Sequence, residues 1–240
     1  MKLFNKQRFA IMGGTNFKKY LTYALGEIVL VVIGILIAVA LNNWNQRKEL
    51  NNANAELRME VIKQLDTDIT SISEHLNKSD NVHENYRKYL QHPKDSAEIF
   101  PGEVLGSLLF DNHAHENDTR VITMIDNATL NKSKTSLDLK SLAMDYRLYN
   151  EKLKSTEQLI FITTTEVLKE IERTQDWYLE FVISNFQCTE DCANYFFNNK
   201  QHKARIVTLL FLYKHVYNNI VSKLKDILMK YRNLFNEIED

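Results

Sequence analysis

The chain reads as an all-α membrane protein: one N-terminal transmembrane helix followed by a long-helix antiparallel bundle. Three observations predict this. Residues 28–41 form an unbroken apolar run, glycine and proline vanish after Gly106, and apolar residues recur at spacings of three and four over long stretches. The 240 residues are enough to bury a sizeable core, and 44% hydrophobic with 25% charged residues is ordinary for a folded protein.

The six glycines all lie between Gly13 and Gly106, and the two prolines are Pro93 and Pro101. A β-rich domain needs many tight turns of the kind glycine supplies, and phosphate-cradling loops need glycine where the backbone meets the ligand. Both classes are therefore disfavoured. Charge is informative once divided. Residues 1–26 carry Lys2, Lys6, Arg8, Lys18 and Lys19 without an acid, leaving the remainder net acidic in a chain of net charge −1. No concentrated basic surface is available for nucleic acid.

Residues 1–19 are read as a basic cytoplasmic tail and 20–41 as the membrane helix. The 14 apolar residues alone reach about 21 Å, short of a hydrocarbon core of about 30 Å, whereas extension back to Tyr20 gives about 33 Å. Tyr20, Tyr23 and Trp44 suit the two interfacial belts. The basic tail predicts a cytoplasmic N-terminus and an exported C-terminal domain. A cleaved signal peptide is the alternative, with Ala38-Val39-Ala40 as a small-x-small site. Glu27, Gly34 and Ala38 fall within about 20° of one another on the helix, a face suited to close helix association. Glu27 otherwise reaches the headgroups or the Lys18–Lys19 pair.

The string from Tyr23-Ala24-Leu25-Gly26-Glu27-Ile28 to Asn42-Asn43-Trp44-Asn45 resembles the N-terminal signature of an uncharacterised single-pass membrane protein family of Bacteroidetes. The resemblance covers about residues 18–48. It implies a retained anchor in a Gram-negative inner membrane and a periplasmic main domain. It implies no activity.

Residues 42–92 are read as a juxtamembrane amphipathic helix carrying Leu50, Ala53, Leu57, Val61, Leu65, Ile69, Ile72 and Leu76 on one stripe. Asparagines in 42–54 favour a bend or fraying there, and Pro93 ends the pattern. Residues 93–119 form a loop with a short apolar segment, after which Asp118 or Thr119 caps a short helix from Arg120. Within the helical region 120–240, a long helix is expected from an N-cap at Ser136 to about Phe186, with a break near Thr163-Thr164-Thr165. The last helix carries a heptad seam, Tyr217, Val221, Leu224, Leu228, Tyr231, Phe235 and Ile238. That seam packs inside a bundle or against another subunit.

Chemistry-bearing patterns are sparse. His113 and His115, with acids nearby, are weak metal-ligand candidates and read better as a solvated loop, so no metal or cofactor is expected. Cys188 and Cys192 are the only cysteines, spaced for a structural disulfide in an oxidising compartment or left as two thiols. No nucleophile elbow or zinc helix occurs, and the expectation is a non-enzyme. Two readings follow: a membrane-anchored structural or assembly module, with the bilayer and a homo-oligomer or membrane protein as partners; and a periplasmic bundle that senses a ligand and signals through a partner.

Overall fold

A computed structural model describes residues 17–91, 109, 114–115, 118–184, 186 and 189–238. Every regular element among them is helical. In chain order these are α1 (Phe17–Gln91), α2 (Arg120–Asn127), α3 (Lys134–Thr174), α4 (Tyr178–Ile183), α5 (Glu190–Ala193), α6 (Lys200–Phe211) and α7 (Asn218–Asn236). Wide π-helical turns occupy Asn194–Asn198 and Leu212–Tyr217. The chain divides into two units, one up to Ala53 and one from Asn54 onward.

The first unit holds the apolar part of α1. This one helix is long and apolar enough to cross a membrane, and that apolar stretch is not buried inside the protein. Residues 1–16 of the basic tail lie outside the described residues, and Phe17, Lys18 and Lys19 already belong to α1. Among the described residues no contact calls for glycine at position 34, since a Cβ there would meet nothing within 4 Å. At the polar end Asn45 Nδ2 donates to Glu49 Oε1 at 3.4 Å, and the Lys48 ammonium sits 5.7 Å from the Trp44 ring centre. Asparagine does not break the helix: α1 is α-helical through residues 42–54.

The second unit is built around two apolar clusters. The larger takes Val61, Leu65 and Ile72 from α1, Val121 and Ile125 from α2, Leu139, Leu142, Tyr146 and Leu153 from α3, and Val221, Leu224, Leu228 and Phe235 from α7. The whole heptad seam is therefore used up inside the unit: Tyr217 through Phe235 are buried and Ile238 packs against them. The smaller cluster joins Val167 and Ile171 of α3 to Phe181, Cys192, Phe196, Ile206 and Leu209. Trp177 meets Phe181, Tyr195 and Phe196 edge-on at 5.6–5.9 Å, the arrangement that ring quadrupoles favour.

Polar bonds fix the register of these helices. Arg58 donates to the Ile238 carbonyl (2.7 Å), Arg232 to Asp66 (2.8 Å), and Asn218 to Ser79 (2.6 Å). Tyr231 donates to Asp145 (2.9 Å) and Tyr217 to Glu157 (2.9 Å), while Arg205 pairs with Glu170. Asn54, the last asparagine of its run, is buried for a tertiary reason. It donates to the Thr129 carbonyl and accepts from Asn131 N–H and the Ser136 hydroxyl.

Three boundaries differ from expectation. Ser133, not Ser136, caps α3, accepting from Ser136 N–H at 3.1 Å. Ser136 lies in the first turn, where its hydroxyl bonds Asn131 and Asn54. The threonine run does not interrupt α3, and Thr163 returns its hydroxyl to the Leu159 carbonyl at 2.8 Å within the unbroken helix. The helix ends at Thr174 rather than near Phe186. Most of residues 93–119 lie outside the described residues. Asp118 accepts from Arg120 N–H at 2.9 Å, and Thr119 occupies the N-cap position of α2.

Cys192 is fully buried and disulfide-bonded, while Cys188, the other cysteine, lies outside the described residues. A bond closing so short a loop is worth about 2 kcal/mol in the chain-entropy account. Cys192→Ala is expected to lower stability by at least that amount, read by urea denaturation.

Candidate interaction face and groove

Two features of the second unit stand out, and both are built on α3. The first is a groove of about 650 Å³. One wall is α3, with Lys154, Glu157, Gln158, Phe161, Thr165 and Leu168; Tyr213 and Tyr217 face it, and Leu109 and Ala114 complete it. Tyr213 and Tyr217 both reach the groove from the π-helical turn Leu212–Tyr217. That wider turn shifts the helical phase just before the regular seam of α7 begins.

At the groove's inner end lies a polar cluster. Tyr217 donates its hydroxyl to Glu157 Oε1 at 2.9 Å and accepts from His115 N–H at 2.7 Å. His75 packs on this pair, with ring centres 5.4 Å from His115 and 6.0 Å from Tyr217. Burial, then the Glu157 carboxylate, pushes the Tyr217 hydroxyl well above its ordinary range, although the His115 bond pulls the other way. The hydroxyl is thus a fixed donor. Burial first, and the neighbouring His75 second, lower His115 from 6.5 to about 4.

That shift has a signed consequence. His115 is neutral in the folded chain down to about pH 4, whereas the unfolded chain takes up a proton below pH 6.5. Its contribution is fully present above pH 6.5 and is lost as the pH falls from there through 4, by about 2 kcal/mol allowing for the ring's partial contact with water. Urea titrations at pH 7 and pH 4.5 are expected to show this loss, and His115→Gln to reduce it.

The other sequence-predicted positions are not brought together here. His113 lies outside the described residues, and His115 turns inward onto His75 and Tyr217 rather than forming a solvated loop. No group of three metal-ligating side chains occurs among the described residues. Glu27, Gly34 and Ala38 belong to the first unit.

The second feature is the outward face of α3. Its inward residues Leu139, Leu142, Tyr146 and Leu153 are buried. Diametrically opposite, Leu137, Met144, Leu148, Leu159 and Ile162 are exposed, from 46% at Leu148 to 72% at Met144. These five fall within about 40° of one line along the helix, with Ser141 and Ser155 on the same line. α1 and α7 do not share this character, whereas α4 exposes Leu179, Val182 and Ile183 and α6 exposes Val207 and Phe211. From Asn54 to Asn81 on α1, Met59 is the one large apolar side chain exposed, and on α7 it is Met229. Sequence reasoning passed over this face because it sought one apolar stripe per helix. The signal was there in α3 having two.

No family model, curated protein or solved structure matches the chain.

Proposed function

We propose that the protein is a membrane-anchored helical module whose role is assembly, with residues 20–41 retained as a single-pass anchor. The observation that carries this reading is the exposed apolar face of α3. A helix apolar on both sides is suited to the interior of a larger helical assembly, and contiguous exposed apolar patches mark interaction surfaces. Between residues 54 and 81 α1 exposes one large apolar side chain, and so does α7, so the face is not a feature of every long helix.

The second unit is read as an antiparallel bundle. Support comes from the order of its polar bonds: residues 58, 66 and 79 of α1 meet 238, 232 and 218, and residues 145 and 157 of α3 meet 231 and 217. The N-terminus is placed in the cytoplasm and the second unit in the periplasm, beyond an inner membrane. The basic tail, the family-like string at residues 18–48 and the bonded Cys192 support that placement. The face formed by Glu27, Gly34 and Ala38 is a further contact within the bilayer in this reading. Crosslinking in native membranes, with products identified by mass, tests the assembly role. A chain that crosslinks to nothing defeats it.

The groove favours a second reading, a ligand-sensing bundle that signals through a partner. Its volume lies in the range of small-molecule sites, and an apolar wall with Lys154, Glu157 and Gln158 at one side suits an amphipathic molecule. A ligand that binds the folded chain must raise its melting temperature. Screening metabolites by thermal shift, with Phe161→Asp as the control variant, tests this. No shift across the panel removes the reading.

A further inference from the structure

We propose that the groove on α3 takes a short apolar peptide of dipeptide size by its two charged ends, the ammonium on Glu157 and the carboxylate on Lys154. The proposal rests on the reading of the groove as a ligand site and names the class of ligand. Three observations carry it.

First, the wall carries one charge of each sign, and neither is used up by the other. Lys154 and Glu157 both line the groove, one turn apart on α3. Among the described residues Lys154 makes no ion pair or hydrogen bond, and Glu157 accepts at Oε1, from Tyr217, with Oε2 left for a ligand. A lysine preceding its glutamate is the weaker order for a pair along a helix. Glu157 is half-buried and held in place by Tyr217, which is itself fixed by the bond from His115 N–H; Lys154 is exposed at the rim.

Second, these charges select the occupant. A neutral apolar molecule lying over Glu157 would strip water from a carboxylate and return no donor. An amine alone would bring its charge beside Lys154, and an acid alone would meet Glu157. A molecule with both ends satisfies both. Positions three apart on a helix stand about 5–6 Å apart at Cβ, and two extended residues span at most about 7 Å. A free amino acid holds its charges within about 3.5 Å, and four residues spread them to about 13 Å. Gln158, next to Glu157 and one turn on from Lys154, offers an amide donor and acceptor to the peptide group.

Third, beyond the charges the groove turns apolar in one direction. Phe161 and Leu168 continue the line of Lys154 and Gln158 along α3, with Leu109 and Tyr213 also lining the groove. Phe161 is 71% exposed, apolar area that the peptide's side chains cover. About 650 Å³ leaves room for two apolar side chains beside the charged backbone.

The test is calorimetric titration of the full chain in mild detergent with leucyl-phenylalanine, its N-acetyl form and its C-terminal amide. The free peptide is expected to bind, and each capped form at least about 10-fold more weakly. Lys154→Gln is expected to abolish the loss on amidation and keep that on acetylation; Glu157→Gln is expected to do the reverse. A residue acting only through the fold weakens all three forms alike, so the crossed pattern separates contact from structure. Should Glu157→Gln disturb the Tyr217 bond and misfold, the exposed Lys154→Gln carries the test by itself. Leucine alone, and the dipeptide extended by two glycines, are expected to bind more weakly than the dipeptide. Equal affinity of the free and capped forms overturns the proposal. So does a free dipeptide that fails to bind while another compound raises the melting temperature of the wild type and not of Phe161→Asp; the groove is then a site for a different ligand. If no compound does so, both readings fall.

Discussion

Asp68→Ala is expected to destabilise the second unit by about 3 kcal/mol, although it removes a charge from an apolar interior. Asp68 is 4% exposed on α1, between the core positions Leu65 and Ile72. Its carboxylate accepts from the Tyr146 hydroxyl of α3 at 2.7 Å and from Gln64 Nε2 at 2.7 Å, and Gln64 reaches on to Asp118 at 3.2 Å. Burial raises the pKa of Asp68 first of all, and Asp118 adds to this, while the bonds from Tyr146 and Gln64 lower it. Tyr146 is pushed strongly upward by burial and by the adjacent carboxylate, so it stays protonated and donating. Removing the carboxylate leaves that hydroxyl buried without its acceptor. Tyr146→Phe does the converse and leaves a buried carboxylate with one donor fewer, at about 2 kcal/mol. The double variant Asp68→Leu/Tyr146→Phe replaces both ends by apolar groups and is expected to recover most of the loss. Urea denaturation of the four proteins measures the coupling. A double variant as unstable as the sum of the singles refutes the pairing account.

The direction with pH follows from the raised pKa. The folded chain holds the Asp68 proton more tightly than the unfolded one, so this carboxyl favours the folded state most at low pH. The advantage fades as the pH rises through 3.8 and then through the higher folded value. His115 works the opposite way, losing its contribution on acidification. On acidification the two groups act in opposite directions and partly offset each other.

Such pairs explain why the fold was partly legible in sequence and partly not. The apolar residues of α1 and α7 recur with one clear period, and from Leu57 to Leu76 and from Tyr217 to Ile238 the stripe faces the core, although Ala53 is exposed and the buried Ile62 was missed. Packing on a single face writes itself into spacing. The caps and breaks were less legible, since Ser133 and Ser136 are equally good cap residues in isolation. Asn131 and Asn54, one of them far away in sequence, decide which one caps. The threonine run through 163–165 likewise reads as a weak point, and only the α3 side of the second apolar cluster, with Val167 and Ile171 buried beyond it, carries the helix onward. The groove was not legible at all. Glu157 and Tyr217 lie sixty residues apart, and the π-helical turn that aims Tyr213 and Tyr217 leaves no recognisable mark in composition.

Leu142→Ala and Leu148→Ala make the same chemical change on one helix, and their effects are expected to differ in kind. Leu142 is fully buried among residues of α1 and α7, so its truncation should cost about 3–4 kcal/mol through lost transfer energy and the cavity left behind. In a domain of this size that is a drop in melting temperature of about 6–16 °C. Leu148 lies on the opposite side and is 46% exposed, so truncation should change the stability of the monomer by less than about 0.5 kcal/mol. What it should change is association, because the face that contributes nothing to folding is the one available to a partner. Melting followed at several protein concentrations separates the two. For Leu142→Ala the curve shifts down at every concentration; for Leu148→Ala it merges with that of the wild type on dilution and falls below it as concentration rises, since binding stabilises the folded state by mass action. Equal losses at all concentrations for both variants would mean that Leu148 is an ordinary structural residue. Both faces of α3 would then serve the fold alone, and the assembly reading would lose its main support.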